Sequence, residues 1–373
     1  MDGSRVSVAI GAGSRLRAIG GIMMAKMLKA TLVAPERIEL GEAEIPTPGK
    51  DEVLIRVLRV GVCGSDPTIY FGRHPYVTYP VVMGHEFSGT VAALGEGAEG
   101  PAVGTRVAVI PHLVCGKCDM CQKEIYNFCE SLRCTGAEAD GAHCEFISMP
   151  KQMVIPIPEA MTLEDAAMVE PACVAYHGAK RGEIQQADIA LVVGAGPIGN
   201  FCMQSCKALG AKRVFIADMD ASRLALAESL GADGVIDVSK ESLETGLERL
   251  CGGAKKVNVF YDCVGEKGMV FNNILGMARR GSRIVIIGVL QNGYDVPRLP
   301  DFVQHELRLS GTTMYTPADY REMLKLMGEG RIRTKGMISH TFPLTQVKEV
   351  FQMIAQRREP FFKIMLTVGE QRE

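Results

Sequence analysis

The chain has 373 residues, of which 47% are hydrophobic and 23% charged, and its net charge at pH 7 is -2. That length exceeds what one hydrophobic core usually supports, so two domains are expected, and the composition is that of a globular protein rather than a disordered or fibrous one. No basic excess invites nucleic acid, and apolar runs such as Ile284–Leu290 are far shorter than the roughly 20 residues that cross a bilayer, so neither nucleic acid nor a membrane is an expected partner.

Residues 1–26 read as an N-terminal extension. They lack the sustained apolar run and the small-residue cleavage site of a secretory signal, and Met23, Met24 and Met27 stand just before the first strand-like stretch. From Met27 to Arg106 apolar and polar residues alternate, as at Val53, Ile55 and Val57, between Gly and Pro punctuation such as Glu44–Lys50. This pattern predicts short antiparallel strands. After Tyr176 the texture changes to apolar strand, glycine turn and amphipathic helix: Ile189–Val193, Gly199–Leu209, Val214–Ala217 and Ala221–Leu230, with further rounds at Val257–Cys263 and Arg283–Gly288. Such a repeat predicts βαβ units around a parallel sheet. The tail from Tyr315, with a strand at Ile338–Phe342 and a last strand at Lys363–Val368, looks more like the first region. The expected architecture is α/β: a β-rich domain built from residues 27–176 and 315–373, with a doubly wound nucleotide-binding domain at 177–314 between them.

Within this frame several residues carry chemistry. Cys63 sits in Gly61-Val62-Cys63-Gly64-Ser65-Asp66, and His85 with Glu86 in Gly84-His85-Glu86-Phe87-Ser88-Gly89; Glu170 follows in Val169-Glu170-Pro171-Ala172. Taken singly, each is more often a structural residue than a ligand. Together, one thiolate, one imidazole and one carboxylate make a three-ligand zinc site with a position open for an alcohol oxygen, which the metal polarises toward loss of its proton. The run Cys115-x2-Cys118-x2-Cys121-x7-Cys129 places four thiols in one loop, enough to close a tetrahedral shell around a second, structural zinc. Two disulfides or an iron–sulfur cluster are the alternatives. Twelve cysteines are too few for a disulfide scaffold in a chain of this size, and a reducing cytoplasm fits them best.

The loop Gly194-Ala195-Gly196-Pro197-Ile198-Gly199 follows an apolar strand and opens a helix, the context a dinucleotide fingerprint requires. The first glycine makes the tight turn, the second admits the pyrophosphate to the backbone, and the third packs helix on strand. Asp218, at the end of the next strand, stands where a carboxylate accepts hydrogen bonds from the adenosine ribose and repels a 2′-phosphate, so NAD is favoured over NADP. Arg223 opposes that reading if it pairs with a phosphate, and supports it if it stacks on adenine. A βα turn without a ligand is the plain alternative. Gly11-Ala12-Gly13 lacks both strand and helix and is set aside.

These motifs, in this order over Met27–Val368, resemble those of zinc-dependent medium-chain dehydrogenases. Within that superfamily the chain is most similar to the polyol branch of sorbitol, butanediol and threonine dehydrogenases, because Glu170 stands where the alcohol dehydrogenases carry a cysteine. The resemblance implies a GroES-like β domain, a Rossmann domain and a homodimer or homotetramer. It implies that Cys63, His85 and Glu170 bind the catalytic zinc with Glu86 as an alternating ligand or neighbouring carboxylate, that Ser65 bonds the substrate oxygen and passes its proton outward, and that Lys363 reaches the cofactor from the last strand. Two positions depart from the pattern. Thr68 replaces a histidine that relays the proton in many relatives, and Met314 falls where sorbitol dehydrogenases hold the polyol with an arginine. Tyr70, His74, His112 and His177 are candidates for the cleft, and equally ordinary loop or core residues. The expected activity is NAD-linked oxidation of a vicinal diol, polyol or similar secondary alcohol. Threonine 3-dehydrogenase, for which Arg73 is a candidate charge partner, is the near alternative, and a non-catalytic, redox-responsive zinc and NAD-binding protein is the distant one.

Overall fold

The computed structural model describes residues 16–19, 22–265, 269–289, 298–356, 358 and 360–369. They form two compact units, one made of the described residues up to Glu170 together with those from Ile338, the other of Pro171–Met337. No helix among the described residues is long and apolar enough to cross a membrane.

The first unit holds a seven-stranded sheet whose main path runs through Val154–Pro156, Arg106–Val109, Glu86–Leu94, Glu52–Val62, Lys363–Thr367 and Ile338–Pro343, with Phe146–Pro150 pairing Glu52–Val62 as well. Val53, Ile55 and Val57 are fully buried, as their alternation predicts, but so is Leu54 at 1% exposure. Strict alternation fails here, in a strand that pairs with neighbours on both sides and against which the helix Leu163–Ala167 packs. A three-stranded antiparallel meander, Leu16–Ile19, Ile22–Ala34 and Arg37–Glu44, adds to this unit. Part of the expected extension is therefore strand: Leu16–Ile19 pairs with Ile22–Ala25. Residues 1–15 lie outside the described residues.

The second unit is a six-stranded parallel sheet of Ile189–Val193, Arg213–Asp218, Gly234–Asp237, Val259–Asp262, Arg283–Ile286 and Arg308–Gly311. Its spatial order is third, second, first, fourth, fifth, sixth, a doubly wound topology. Two of these strands, Gly234–Asp237 and Arg308–Gly311, escape the sequence reading because they are four-residue segments with partly exposed positions. Apolar residues from the sheet and its helices, among them Leu191, Phe215, Leu247, Phe260 and Ile274, form one buried cluster.

The unit boundaries fall after Glu170 and after Met337, where the sequence reading places them after 176 and 314. The larger difference, at the second boundary, lies in one helix. Pro317–Gly328 begins with a capping box at Thr316 and Asp319, and the buried Asp319 carboxylate is bonded by His177 Nδ1 at 2.8 Å and by Lys180 Nζ at 2.7 Å. Both partners stand on the helix Val169–Arg181, so this ion-pair network holds the tail helix in the second unit. Those charges hold the Asp319 carboxyl well below the ordinary carboxylate range despite its burial.

Candidate active site

Three neighbouring strand ends build the first cluster. Cys63 directly follows the strand Glu52–Val62, Glu86 opens Glu86–Leu94 and Lys363 opens Lys363–Thr367. The ladder pairs Gly61 with Glu86 on one side and with Met365 on the other. Gly61 leaves room there for the Glu86 carboxylate, which a Cβ would displace. The result is one sulfur, one imidazole nitrogen and one carboxylate oxygen, from Cys63, His85 and Glu86, all within 4.8 Å of one another. His85 is 8% and Glu86 1% exposed.

Asp66 completes the cluster. It is fully buried, its Oδ2 accepts the Cys63 amide at 2.8 Å, and its Oδ1 lies 3.6 Å from His85 Nδ1. A carboxylate behind a ligating imidazole fixes which ring nitrogen faces the metal. Burial opposes the charged form of His85, yet the Cys63 sulfur and the Asp66 carboxylate prevail and raise its pKa well above the usual value. Ser65 donates its hydroxyl to the Cys63 sulfur at 3.3 Å. Lys363 lies in the same cluster. It forms a buried ion pair with Glu86, and although burial lowers its pKa, the charges of Glu86 and Cys63 raise it overall.

This surplus of buried anionic groups suits a divalent cation. Glu86 Oε1 and Asp66 Oδ1 are buried without hydrogen-bond partners, a costly state for carboxylates that nearby positive charge offsets. The S, N, O donor set is one that Zn²⁺ accepts. Glu170 is not part of the close cluster. It is buried, and burial first, then its charge with those of Glu138 and Cys63, pushes the Cys134 thiol up to about 12 against the opposing effect of His85. Cys134 thus stands within electrostatic reach of Cys63, His85 and Glu170.

The four sulfurs of Cys115, Cys118, Cys121 and Cys129 also lie within 4.8 Å of one another. Backbone amides turn toward them: Cys118 N donates to Cys115 Sγ at 3.4 Å, Cys121 N to Cys118 Sγ at 3.5 Å and Cys115 N to Cys129 Sγ at 3.4 Å. Amides of Lys117 and Cys118 pull the Cys115 thiol down to about 6. Amides aimed at sulfur stabilise thiolate, the form that binds metal.

In the second unit the loop after Ile189–Val193 turns at Gly194, whose φ is +99°. Gly199 is equally constrained, because a Cβ there would collide with the Gly194 carbonyl oxygen. Gly196 precedes the helix Pro197–Ala208, with Pro197 at its first position and Ile198 next. Asp218 Oδ2 accepts the Ala195 amide at 2.6 Å, and Arg223 Nη1 lies 4.0 Å from where a Cβ on Gly196 would stand. The acidic strand end and the basic helix residue therefore both border the loop.

An Alcohol dehydrogenase GroES-like domain matches residues 49–159, and a Zinc-binding dehydrogenase domain matches residues 197–329. Human sorbitol dehydrogenase is 31% identical over 330 residues, covering 87% of this chain and 92% of the relative. L-galactonate-5-dehydrogenase of Escherichia coli K12 is 30% identical over 333 residues, covering 89% and 96%. The chain belongs to the zinc-dependent medium-chain dehydrogenases, in their polyol branch. A solved relative, described as the short chain alcohol dehydrogenase rspB of Escherichia coli CFT073 and complexed with NADH, superposes with a TM-score of 0.84 at 31% identity, covering 92% of this chain and 99% of that one. The enzyme acts on secondary alcohols and uses zinc and a nicotinamide cofactor.

Several residues suggested for the substrate cleft of this dehydrogenase make contacts within their own unit. His177 holds Asp319. Tyr70 stacks on Phe351 at 5.1 Å and donates its hydroxyl to the Glu36 carbonyl. Thr68 is exposed, His74 packs edge-on to Tyr76 at 6.1 Å, and Arg73 lies over the Phe71 ring at 5.0 Å. Met314 adopts a left-handed φ of +47°.

His112 is fully buried, and desolvation pushes its pKa down to about 4. His143, at 1% exposure and packed edge-on to Phe351, is pushed down to about 3 by burial and by His85. Near neutral pH both are uncharged in the folded enzyme, and both protonate near 6.5 when unfolded, so the unfolded state binds more protons between that pH and the folded-state values. Stability is therefore complete above about pH 6.5 and is lost as pH falls, by about 3 kcal/mol from each group at pH 4. His143→Phe, which keeps a ring against Phe351, is expected to make the decline of urea midpoints between pH 7 and pH 4 shallower. An unchanged slope would mean that His143 does not titrate with unfolding.

Proposed function

We propose that this dehydrogenase oxidises a vicinal diol, polyol or similar small hydroxy compound to a ketone, with NAD as hydride acceptor. The observation that carries the reading is the largely buried cluster of Cys63, His85 and Glu86 with Asp66 behind it. Cys63, His85 and Glu170 would hold the catalytic zinc, with Glu86 exchanging for or supporting Glu170. The shared electrostatic neighbourhood of Cys134 supports including Glu170. Zinc, when bound there, would supply a Lewis acid that makes an alcohol oxygen more acidic.

The chain's own residues do the rest. Asp66 orients His85. Ser65, at the start of the helix Asp66–Tyr70, is the hydroxyl nearest Cys63 and accepts the substrate proton; with an exposed threonine at position 68, that proton leaves through water. The nicotinamide, when bound, would supply the hydride acceptor, so that oxidation of the carbinol gives ketone, NADH and one proton. Asp218 supports NAD over NADP because its carboxylate would repel a 2′-phosphate. Cys115, Cys118, Cys121 and Cys129 would hold a second, structural zinc, which needs reduced thiols and so a compartment such as the cytoplasm. A homodimer or homotetramer is supported by the edge strand Arg308–Gly311 and by exposed Leu299, Val303 and Leu309 beside it in sequence.

The test is NADH formation on a panel of butanediol, sorbitol, glycerol and threonine, with NADP as a parallel acceptor and with a zinc chelator. Chelator-sensitive turnover of a neutral diol or polyol with NAD is expected. Turnover of threonine alone would replace the substrate assignment, and equal use of NADP would refute the role given to Asp218.

A further inference from the structure

The helix Pro197–Ala208 carries fully buried polar side chains. Gln204 has a plain structural role, since its amide exchanges hydrogen bonds with the backbone of Arg333 at 3.0 and 2.8 Å. Asn200 is different. It is 0% exposed, its Nδ2 donates to the Ala195 carbonyl at 2.7 Å and to the Gly196 carbonyl at 3.2 Å, and its Oδ1 is buried without a partner. The Ala195 amide is taken by Asp218 at 2.6 Å, so side chains grip both polar groups of that one loop residue.

This grip has a direction. A trans peptide is planar, so a carbonyl turned to one side sends the next N–H to the other. With the Ala195 oxygen held by Asn200, the Gly196 N–H points away from Asn200. Pro197 occupies the first helical position and has no N–H, so anion binding at this helix start depends more heavily on Gly196. The orphaned Oδ1 is a cost that an apolar side chain of similar size would not carry.

We propose that Asn200 is a positioning residue for the dinucleotide: it locks the Ala195–Gly196 peptide so that the Gly196 N–H faces the pyrophosphate. The proposal rests on the nucleotide-binding reading of the Gly194–Gly199 loop. It predicts an uncommon pairing of effects. Asn200→Leu should weaken NADH binding on the order of tenfold by fluorescence titration, and raise the KM for NAD without raising that for the alcohol, while the Tm of the cofactor-free protein stays level or rises. Asn200→Asp, which cannot donate and sets a charge against carbonyl oxygens, should weaken binding further. A lowered Tm with NADH affinity within about twofold of the unaltered protein would make Asn200 merely structural and overturn the proposal. If the leucine variant does not fold, Asn200→Ser decides the matter, because its shorter hydroxyl cannot hold both carbonyls: it should bind NADH more weakly, and unchanged affinity would overturn the proposal. Failure of the unaltered protein to bind NADH would instead refute the nucleotide site itself.

Discussion

Cys63→Ala is expected to lower turnover by about a thousandfold or more while leaving the fold intact. The sulfur is one of three clustered donor atoms, it accepts the Ser65 hydroxyl, and its amide is held by Asp66. Removing it leaves His85 and the carboxylates to hold the ion alone and opens the coordination shell. Loss of about 4 kcal/mol of transition-state stabilisation corresponds to roughly that thousandfold decrease. The fold should survive because Cys63 is only partly buried and lies after the strand rather than within it. Initial rates, metal content and thermal unfolding together make the test: one equivalent of zinc lost, the four-cysteine lobe still loaded, and Tm close to that of the unaltered enzyme. Retained activity would remove Cys63 from the catalytic site, and loss of both zinc equivalents would show that the variant has lost more than one ligand.

Lys363→Met should destabilise the zinc-free protein by about 3–5 kcal/mol, the usual consequence of stripping one member from a buried ion pair. Glu86, at 1% exposure, would keep its charge in a site that already contains Asp66. Zinc saturation should recover much of that loss, because a divalent cation near Glu86 takes over the neutralising role of the ammonium group. Urea unfolding of both proteins, with and without chelator, separates the possibilities. An equal loss in both conditions would place Glu86 away from the metal, and no loss in either would mean that Glu86 is protonated when its partner is gone.

The ligand question shows where sequence reading stops. His85 and Glu86 are adjacent, and the motif around them already carries the chemistry. Glu170 lies far along the chain, and its choice over Glu86 came from the donor set and the resemblance; the folded chain brings Glu86 into the tight cluster, with Glu170 within electrostatic reach of Cys134. Asp66 was in view as the last residue of the Cys63 motif, yet nothing in a one-dimensional spacing says that its carboxylate turns back onto the next strand's histidine. The resemblance alone points Lys363 toward the cofactor. Its ion pair with Glu86 follows from strand order, which sets Lys363–Thr367 and Glu86–Leu94 on either side of Glu52–Val62.

What the sequence by itself determined is whatever local periodicity and short spacing encode. The parallel α/β repeat, the tight turn at Gly194, the packing of Gly199 against it and the gathering of four cysteines in one lobe all depend on residues near each other along the chain. Tertiary structure alone decided the rest. The tail helix joins the second unit because Asp319 finds His177 and Lys180, and Asn200 grips a loop whose other amide is held by Asp218. Burial is the common reason: removing a charge or an amide from water forces it to find a partner, and which partner is within reach depends on strand order and packing rather than on position in the chain.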